Sequence, residues 1–393
     1  MKHNSTLALL MLMVVFSPLA IDIYLPALPI MAQELSVDIT QMQLSISVFI
    51  LCLGFGQLIS GPLSDRYGRR PIAICGVVIY GVSSFLLSSV NSIEVFLLFR
   101  ITQGFGACAI VVSAFASVRD RYDPIKSGIM YSYLSSIICC VPALAPLLGN
   151  ILTEQLGWRS NFYAMGFYAL FAGLAVFLAL PETRPIDTVK HKKLISIKHY
   201  KPIMANPIFI FNALIIMLTM TIILAFVTSS PAWIMIHLQQ SQKTFVFWFS
   251  LNAALNIVAY ILAPKVLIKF GVRNTTGSGM ITVLFSGVLM LILASWSHPA
   301  GFMLPVMVSS IGISLLMGVS SGQALSPFGN KAGMASALLG FIQMSGASLL
   351  VFLLQLLPIS IPEQFALIVS VFIPIYIFWK LPKVKSILSQ GVL

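Results

Sequence analysis

The chain has 393 residues, 58% of them hydrophobic and only 9% charged, where a soluble domain carries about 25% charged residues. Its 23 Lys and Arg outnumber 11 Asp and Glu, giving a net charge of +12. This composition excludes a soluble globular enzyme. The basic residues sit in short loops between apolar runs, so they suit anionic lipid headgroups rather than nucleic acid.

Apolar runs long enough to cross about 30 Å of hydrocarbon recur from end to end. They predict spans over 6–31, 42–62, 72–90, 95–117, 127–152 and 161–180, then six more over 207–230, 245–267, 276–296, 301–322, 333–357 and 364–380. The fold class is therefore an all-α polytopic membrane protein of 12 helices in two six-helix bundles. Residues 1–180 form the first bundle, 181–206 a basic linker, and 207–393 the second. The apolar run after Met1-Lys2-His3-Asn4 resembles a signal peptide at first sight, but it continues to Met31, past the 7–15 residues of a signal core. It predicts an uncleaved first span.

Within that span, Asp22 is a carboxylate in an apolar helix, followed by Pro26 and Pro29. A charge at the bilayer centre costs about 2.5–3.5 kcal/mol on insertion scales, so it marks a functional site by default. Both prolines remove a backbone donor and interrupt the end of the helix.

Between spans 2 and 3 the chain reads Gly61-Pro62-Leu63-Ser64-Asp65-Arg66-Tyr67-Gly68-Arg69-Arg70. Span 4 carries Arg100 at a depth similar to that of Asp22, followed by Gln103-Gly104-Phe105-Gly106 and ending near Arg119. Burial and a nearby cation pull the proton affinity of Asp22 in opposite directions. The sequence leaves open whether the pair is a static bridge or a proton carrier. Span 5 holds Pro142 and Pro146 with Gly149, and Asn150 adds a polar group near the far end.

The second half repeats the loop signature between spans 8 and 9: Arg66 maps to Lys269 and Gly68 to Gly271, while Asp65 maps to Ile268. It has no Asp or Glu between Asp187 and Glu363, so any proton chemistry falls to the first half. Asn252, Asn256 and Tyr260 share one face of span 8 by their i, i+4, i+8 spacing. With Tyr24, Gln103, Gln323 and Gln343 they are candidates for a mostly apolar pocket with a few polar anchors. His237 is expected at the outer end of span 7. The 27 Phe and 18 Met suit amphipathic aromatic ligands, because flexible surfaces bind promiscuously.

Cys52, Cys75, Cys108, Cys139 and Cys140 all lie in apolar runs without metal-ligand or disulfide spacing, and packing is their expected role. No nucleotide loop, metal cluster or nucleophile constellation appears. Neither an enzyme nor a cofactor is expected; the only driving force in view is a proton gradient. All Lys and Arg except Arg100, Arg159 and Lys243 fall on the side of the two termini, which the positive-inside rule makes cytoplasmic.

Taken together, four motifs carry a resemblance. Gly61 through Pro71 resembles motif A of the major facilitator superfamily, and Asp22-x-x-x-Pro26-x-Leu28-Pro29 resembles the first-helix signature of its twelve-span drug:proton antiporters. Arg100-x-x-Gln103-Gly104-x-Gly106 is similar to motif B. Pro142 through Gly149 resembles motif C in the form of Bcr/CflA-type exporters, with Ala145 and Asn150 where glycines are usual. Gly157-Trp158-Arg159 and Leu180-Pro181-Glu182-Thr183-Arg184 look like the same subfamily.

The resemblance implies a monomeric bacterial inner-membrane antiporter that exports hydrophobic drugs, such as phenicols or bicyclomycin-like compounds, in exchange for protons. It implies that Asp22 and Arg100 couple protons. It also implies a latch of Gly61, Asp65, Arg66, Gly68, Arg69 and Arg119, with Asp65 near Arg119 and the start of span 11. The rival reading is a proton-coupled transporter of a natural metabolite such as a sugar or peptide.

Overall fold

A backbone at membrane depth has no water to bond with, so each apolar run must satisfy its own N–H and C=O groups as a helix. The computed structural model describes residues 3–122, 124–185 and 197–381, and every regular element among them is helical. In chain order these are α1 (His3–Asp22), α2 (Leu28–Glu34), α3 (Ile39–Tyr67), α4 (Arg69–Leu87), α5 (Ile93–Arg121), α6 (Pro124–Leu156) and α7 (Arg159–Ala179). After the linker come α8 (Ile197–Met204), α9 (Pro207–Pro231), α10 (Gln242–Leu293), α11 (Pro299–Leu325), α12 (Ala332–Phe341), α13 (Ala347–Gln355), α14 (Ile361–Ser370) and α15 (Phe372–Lys380).

Eleven helical stretches are long and apolar enough to cross a membrane. One of them, α10, spans 52 residues and is broken at Gly271 (φ 74°, ψ 166°), which makes twelve spans among the described residues. The matching turn between α3 and α4 is Gly68 (φ 113°, ψ 158°). A side chain rarely adopts such a φ, so the two halves repeat the same backbone device at the positions the sequence aligned.

Several helix ends are written in the sequence. Asn206 caps α9 by accepting from Ile208 and Phe209 N–H, with Pro207 at the first turn. Ser241 caps α10 through Thr244 N–H, and Ser360 with Glu363 forms a capping box on α14. Along the spans the outer faces stay apolar: Phe167, Leu170, Phe171, Leu174 and Leu178 of α7 are all exposed. A stripe of that size would be unstable against water. The protein is a multi-pass membrane protein.

The chain forms two compact units, Met1–Ile195 and Ser196–Leu393. In the first, α5 packs against α3 and α4, and α1 lies against α5, α6 and α7. Phe16 anchors α1 between Tyr80 (4.8 Å, edge-on) and Tyr168 (4.9 Å). In the second, α11 packs against α9 and α10. The end of the expected linker is helical: α8 buries Ile203 with Phe209, Ala213 and Ile216 of α9 and with Leu338 and Leu339 of α12. The basic run at 190–193 lies outside the described residues. Of the five cysteines, all free, Cys52 and Cys108 are buried, Cys139 and Cys140 are half-buried, and Cys75 is exposed, so packing does not account for that one.

Candidate functional site

Pro26 decides where α1 stops. It has no N–H, so the Asp22 carbonyl four residues back gains no helical donor. The last α-type bond runs from Ile23 N–H to Leu19 O (3.2 Å), and Ala27 N–H turns to Tyr24 O (3.0 Å) in a single 3-10 turn. The Ala20 carbonyl is left over. Arg100 takes it, Nη1 donating at 3.0 Å, while Nε donates to Ser45 O at 3.1 Å. A cation at a helix C-terminus also suits the helix dipole.

The rest of the pocket holds this guanidinium still. Nη1 also donates to Gln103 Oε1 (2.5 Å), and Gln103 Nε2 donates to Ser84 Oγ (2.8 Å), which donates to Tyr80 O. The rings of Phe49 and Tyr24 lie 4.3 and 5.1 Å from the guanidinium carbon. Ser45 Oγ donates to Met42 O (2.6 Å), so Tyr24 OH is the donor in its 2.9 Å bond to Ser45. Arg100, Gln103 and Tyr24 are fully buried and Asp22 is 3% exposed.

Two expectations change here. Asp22 and Arg100 are not an ion pair, and no cation lies within ion-pair distance of Asp22 among the described residues. Arg100 is bound to the backbone of the Asp22 helix instead, two residues short of the carboxylate, and its Nη2 has no partner. Tyr24 and Gln103, expected among pocket residues, are both fully buried against Arg100. They are buried supports of Arg100.

At the opposite end of the unit the loop between α3 and α4 forms a charged cluster. Arg69, 2% exposed, bridges Asp65 (2.5 Å) and Asp120 (2.6 Å), and also donates to Ser64 Oγ. Arg119 lies 3.6 Å from its neighbour Asp120. Asp65, expected near Arg119, is joined to Asp120, the neighbour of Arg119, through Arg69, which lies one helical turn from Asp65 across the Gly68 bend. Arg66 lies over the Tyr67 ring (5.5 Å), and a side chain at Gly61 would meet nothing.

The segment after α7 straps this cluster. Glu182 accepts from the N–H groups of Arg69 (2.9 Å), Arg70 (3.3 Å), Thr183 (3.0 Å) and Arg184 (2.9 Å). Arg184 Nη1 donates to Arg66 O (2.6 Å). Glu182 Oε2 lies so close to Gly68 that a Cβ there would overlap it. Partial burial works against its charge, but the four backbone donors outweigh it and hold the carboxyl below its usual range.

The family profile described as "Major Facilitator Superfamily" matches residues 10–351. The chain belongs to this superfamily. It is a transporter and not an enzyme. Multidrug resistance protein MdtL of Klebsiella pneumoniae subsp. pneumoniae is 32% identical over 349 residues, covering 88% of each chain. MdtL of Salmonella paratyphi A is also 32% identical over 349 residues, covering 88% of this chain and 87% of its own. A D-xylose–proton symporter (TM-score 0.78, 13% identity, 97% and 98% coverage) and a peptide transporter (0.80, 12%, 98% and 95%) share the fold alone.

The stretch of α6 that resembles motif C packs closely against the first helix. Helix α6 runs on through Pro142 and Pro146, and at Gly149 it meets the break after α1: a Cβ there would overlap the Ile23 carbonyl oxygen. At the same end of the unit, Glu34 Oε2 accepts from Trp158 Nε1 and Arg159 Nη1, both at 2.8 Å. Trp158 meets Phe162 (5.8 Å), and Phe162 meets Tyr24 (5.4 Å).

In the second unit, Asn252 is buried and accepts from Ser310 Oγ (3.0 Å), a bond between α10 and α11. Asn256 and Tyr260 are half-buried on the same helix, as is Gln323 near the end of α11. Gln343, also half-buried, sits in a π-turn, Ile342–Gly346, between α12 and α13. His237 ends the π-turn after α9, stacked on Trp233 at 4.0 Å.

Sequence reasoning missed Ser45, Phe49, Tyr80 and Ser84, which hold Arg100, and assigned no role to Asp120 or Glu182. A signal existed. Ser45 with Phe49 and Tyr80 with Ser84 are i, i+4 pairs on one face of their helices, and each pair includes a hydroxyl within an apolar run.

Proposed function

We propose that this facilitator exports hydrophobic or amphipathic drugs from the bacterial cytoplasm in exchange for protons entering across the inner membrane. The observation that carries the reading is Asp22: a carboxylate 3% exposed, with no cation in ion-pair range among the described residues, beside a helix break held by Arg100. A structural ion pair would show its partner. A carboxylate that must carry charge only part of the time need not have one. The 32% identity to proteins named for multidrug resistance supports drugs as the cargo, and the resemblance to Bcr/CflA-type exporters favours phenicols or bicyclomycin-like compounds.

In this mechanism Asp22 takes a proton from the outer face and releases it inward. The free Nη2 of Arg100 offers a donor to the carboxylate when it is charged. Binding the drug and binding the proton favour opposite-facing states, so one drives the other. No residue outside the first unit is needed for the proton step. The half-buried Asn256, Tyr260, Gln323 and Gln343 remain the candidate polar anchors of the drug.

A susceptibility panel in an efflux-deficient host, with and without an uncoupler, tests the reading. Protection against phenicols, lost with the uncoupler and lost in Asp22→Asn at equal membrane level, is the expected result. A chain that protects against nothing, or whose protection survives loss of the gradient, would overturn it; a metabolite cargo then becomes the better account.

A further inference from the structure

At the end of the first unit that the proposed orientation makes periplasmic, α6 and α7 carry three buried polar side chains that no contact so far explains. Asn150 is 7% exposed and Thr153 7%, one turn apart on α6; Asn161, fully buried, stands two residues into α7. Asn161 Nδ2 donates to Thr153 Oγ1 at 2.9 Å. The amide oxygens of Asn150 and Asn161 have no hydrogen-bond partner. An acceptor buried without a donor costs about 1–3 kcal/mol, and such acceptors are where ordered water binds.

The position of the cluster relative to Asp22 comes from the backbone. Gly149, next to Asn150, is the residue whose missing side chain lets the Ile23 carbonyl approach α6, and Ile23 is next to Asp22. Asn150 and Asp22 are therefore each one residue from a single close contact. From Gly149 to the end of α6 at Leu156 is seven residues, about 10 Å at 1.5 Å per residue. Thr153 and Asn161 stand within that interval. On the other side of Asn150, Pro146 and Pro142 follow at i−4 and i−8 on the same face. Their missing N–H groups free the Ile138 and Pro142 carbonyls, further places for water to bond.

We infer that Asn150, Thr153 and Asn161 hold the water file through which protons pass from the periplasmic surface to Asp22. The inference rests on the proton-exchange reading above. The proton moves along hydrogen-bonded water, from donor to acceptor at each step, and protonates the Asp22 carboxylate. The neutral amides and hydroxyl bind water without trapping the proton. Asn150 is also where this chain departs from the usual last glycine of motif C, so the file is a property of this sequence rather than of the motif.

The test uses the purified full-length protein in liposomes with an internal pH dye. The probe drug is chloramphenicol, or ethidium if the panel shows protection against ethidium alone. Asn150→Leu fills the water space and is expected to slow drug-driven proton flux about tenfold, with equilibrium drug binding unchanged. Part of the rate should return as the proton-supplying side is acidified. Asn150→Gly, which leaves room for water, should keep at least half the rate. Thr153→Val keeps the shape, should slow the flux in the same direction, and carries the test if Asn150→Leu does not fold. Wild-type flux in a folded Asn150→Leu or Thr153→Val protein would overturn the inference, as would a loss of drug binding equal to the loss of flux. A wild-type protein with no drug-driven proton flux, or an Asp22→Asn protein with normal flux, would instead overturn the proposed function.

Discussion

At the scale of single residues, the buried cations matter through the acceptors they hold. Arg100 satisfies two backbone carbonyls and one amide oxygen with a planar fork, between two rings. A lysine offers one point charge and cannot span these acceptors. Arg100→Lys should therefore reach the membrane at normal level yet lose most transport, a result that efflux assays normalised to purified protein would show. Arg69 poses the opposite case. It is the cation of an Asp120 carboxylate that is itself 5% exposed. Removing one partner of such a pair strands the other, at a cost of about 3–5 kcal/mol. Arg69→Met is expected to lower the thermal midpoint in detergent strongly, and an unchanged midpoint would show that Asp120 does not depend on Arg69.

At the scale of elements, the strap after α7 ties the last helix of the first unit to the loop between α3 and α4. Its anchor, Glu182, has a carboxyl held below the ordinary value of 4.5 by backbone donors. A depressed folded value means that the contribution to stability is complete above pH 4.5 and is lost as the pH falls through the lower folded value. Midpoints measured from pH 6 downward should drop for the wild type in that acid range, and less for Glu182→Gln, which has no charge to lose. The Glu34–Arg159 pair has side chains 48% and 37% exposed and is expected to add only about 0.2–1 kcal/mol. The Trp158 bond to the same carboxylate is the better anchored half of that clasp, because the ring is buried.

At the scale of the whole molecule, two units repeat one architecture with different chemistry. Both use a glycine at positive φ to turn between their second and third spans, Gly68 and Gly271. Among the described residues the first break joins its cations to the carboxylates Asp65, Asp120 and Glu182, whereas Lys269 and Arg273 beside Gly271 lie over the rings of Phe270 and Trp379. The distribution of Lys and Arg predicts that both termini face the cytoplasm. A fluorescent protein fused after Leu393 should fluoresce and alkaline phosphatase fused there should be inactive; the reverse pattern would invert the proton route argued above.

The amino-acid order alone determined the helices, their number, the repeat and the residues that stand out, because a membrane allows few alternatives to a 20-residue apolar helix and makes each charge within it conspicuous. Asp22 and Arg100 are visible on that ground. What Arg100 touches was decided by the tertiary structure. Depth along two helices placed it near Asp22, but helix rotation and the end of α1 after Ile23 set its partner, and it bonds Ala20 O rather than the carboxylate. The same holds for Asp65, whose ion-pair partner is Arg69, and for Tyr24 and Gln103, which packing buries around a guanidinium. A sequence fixes how far along its helix a side chain lies; which neighbour it faces is set only when several helices pack.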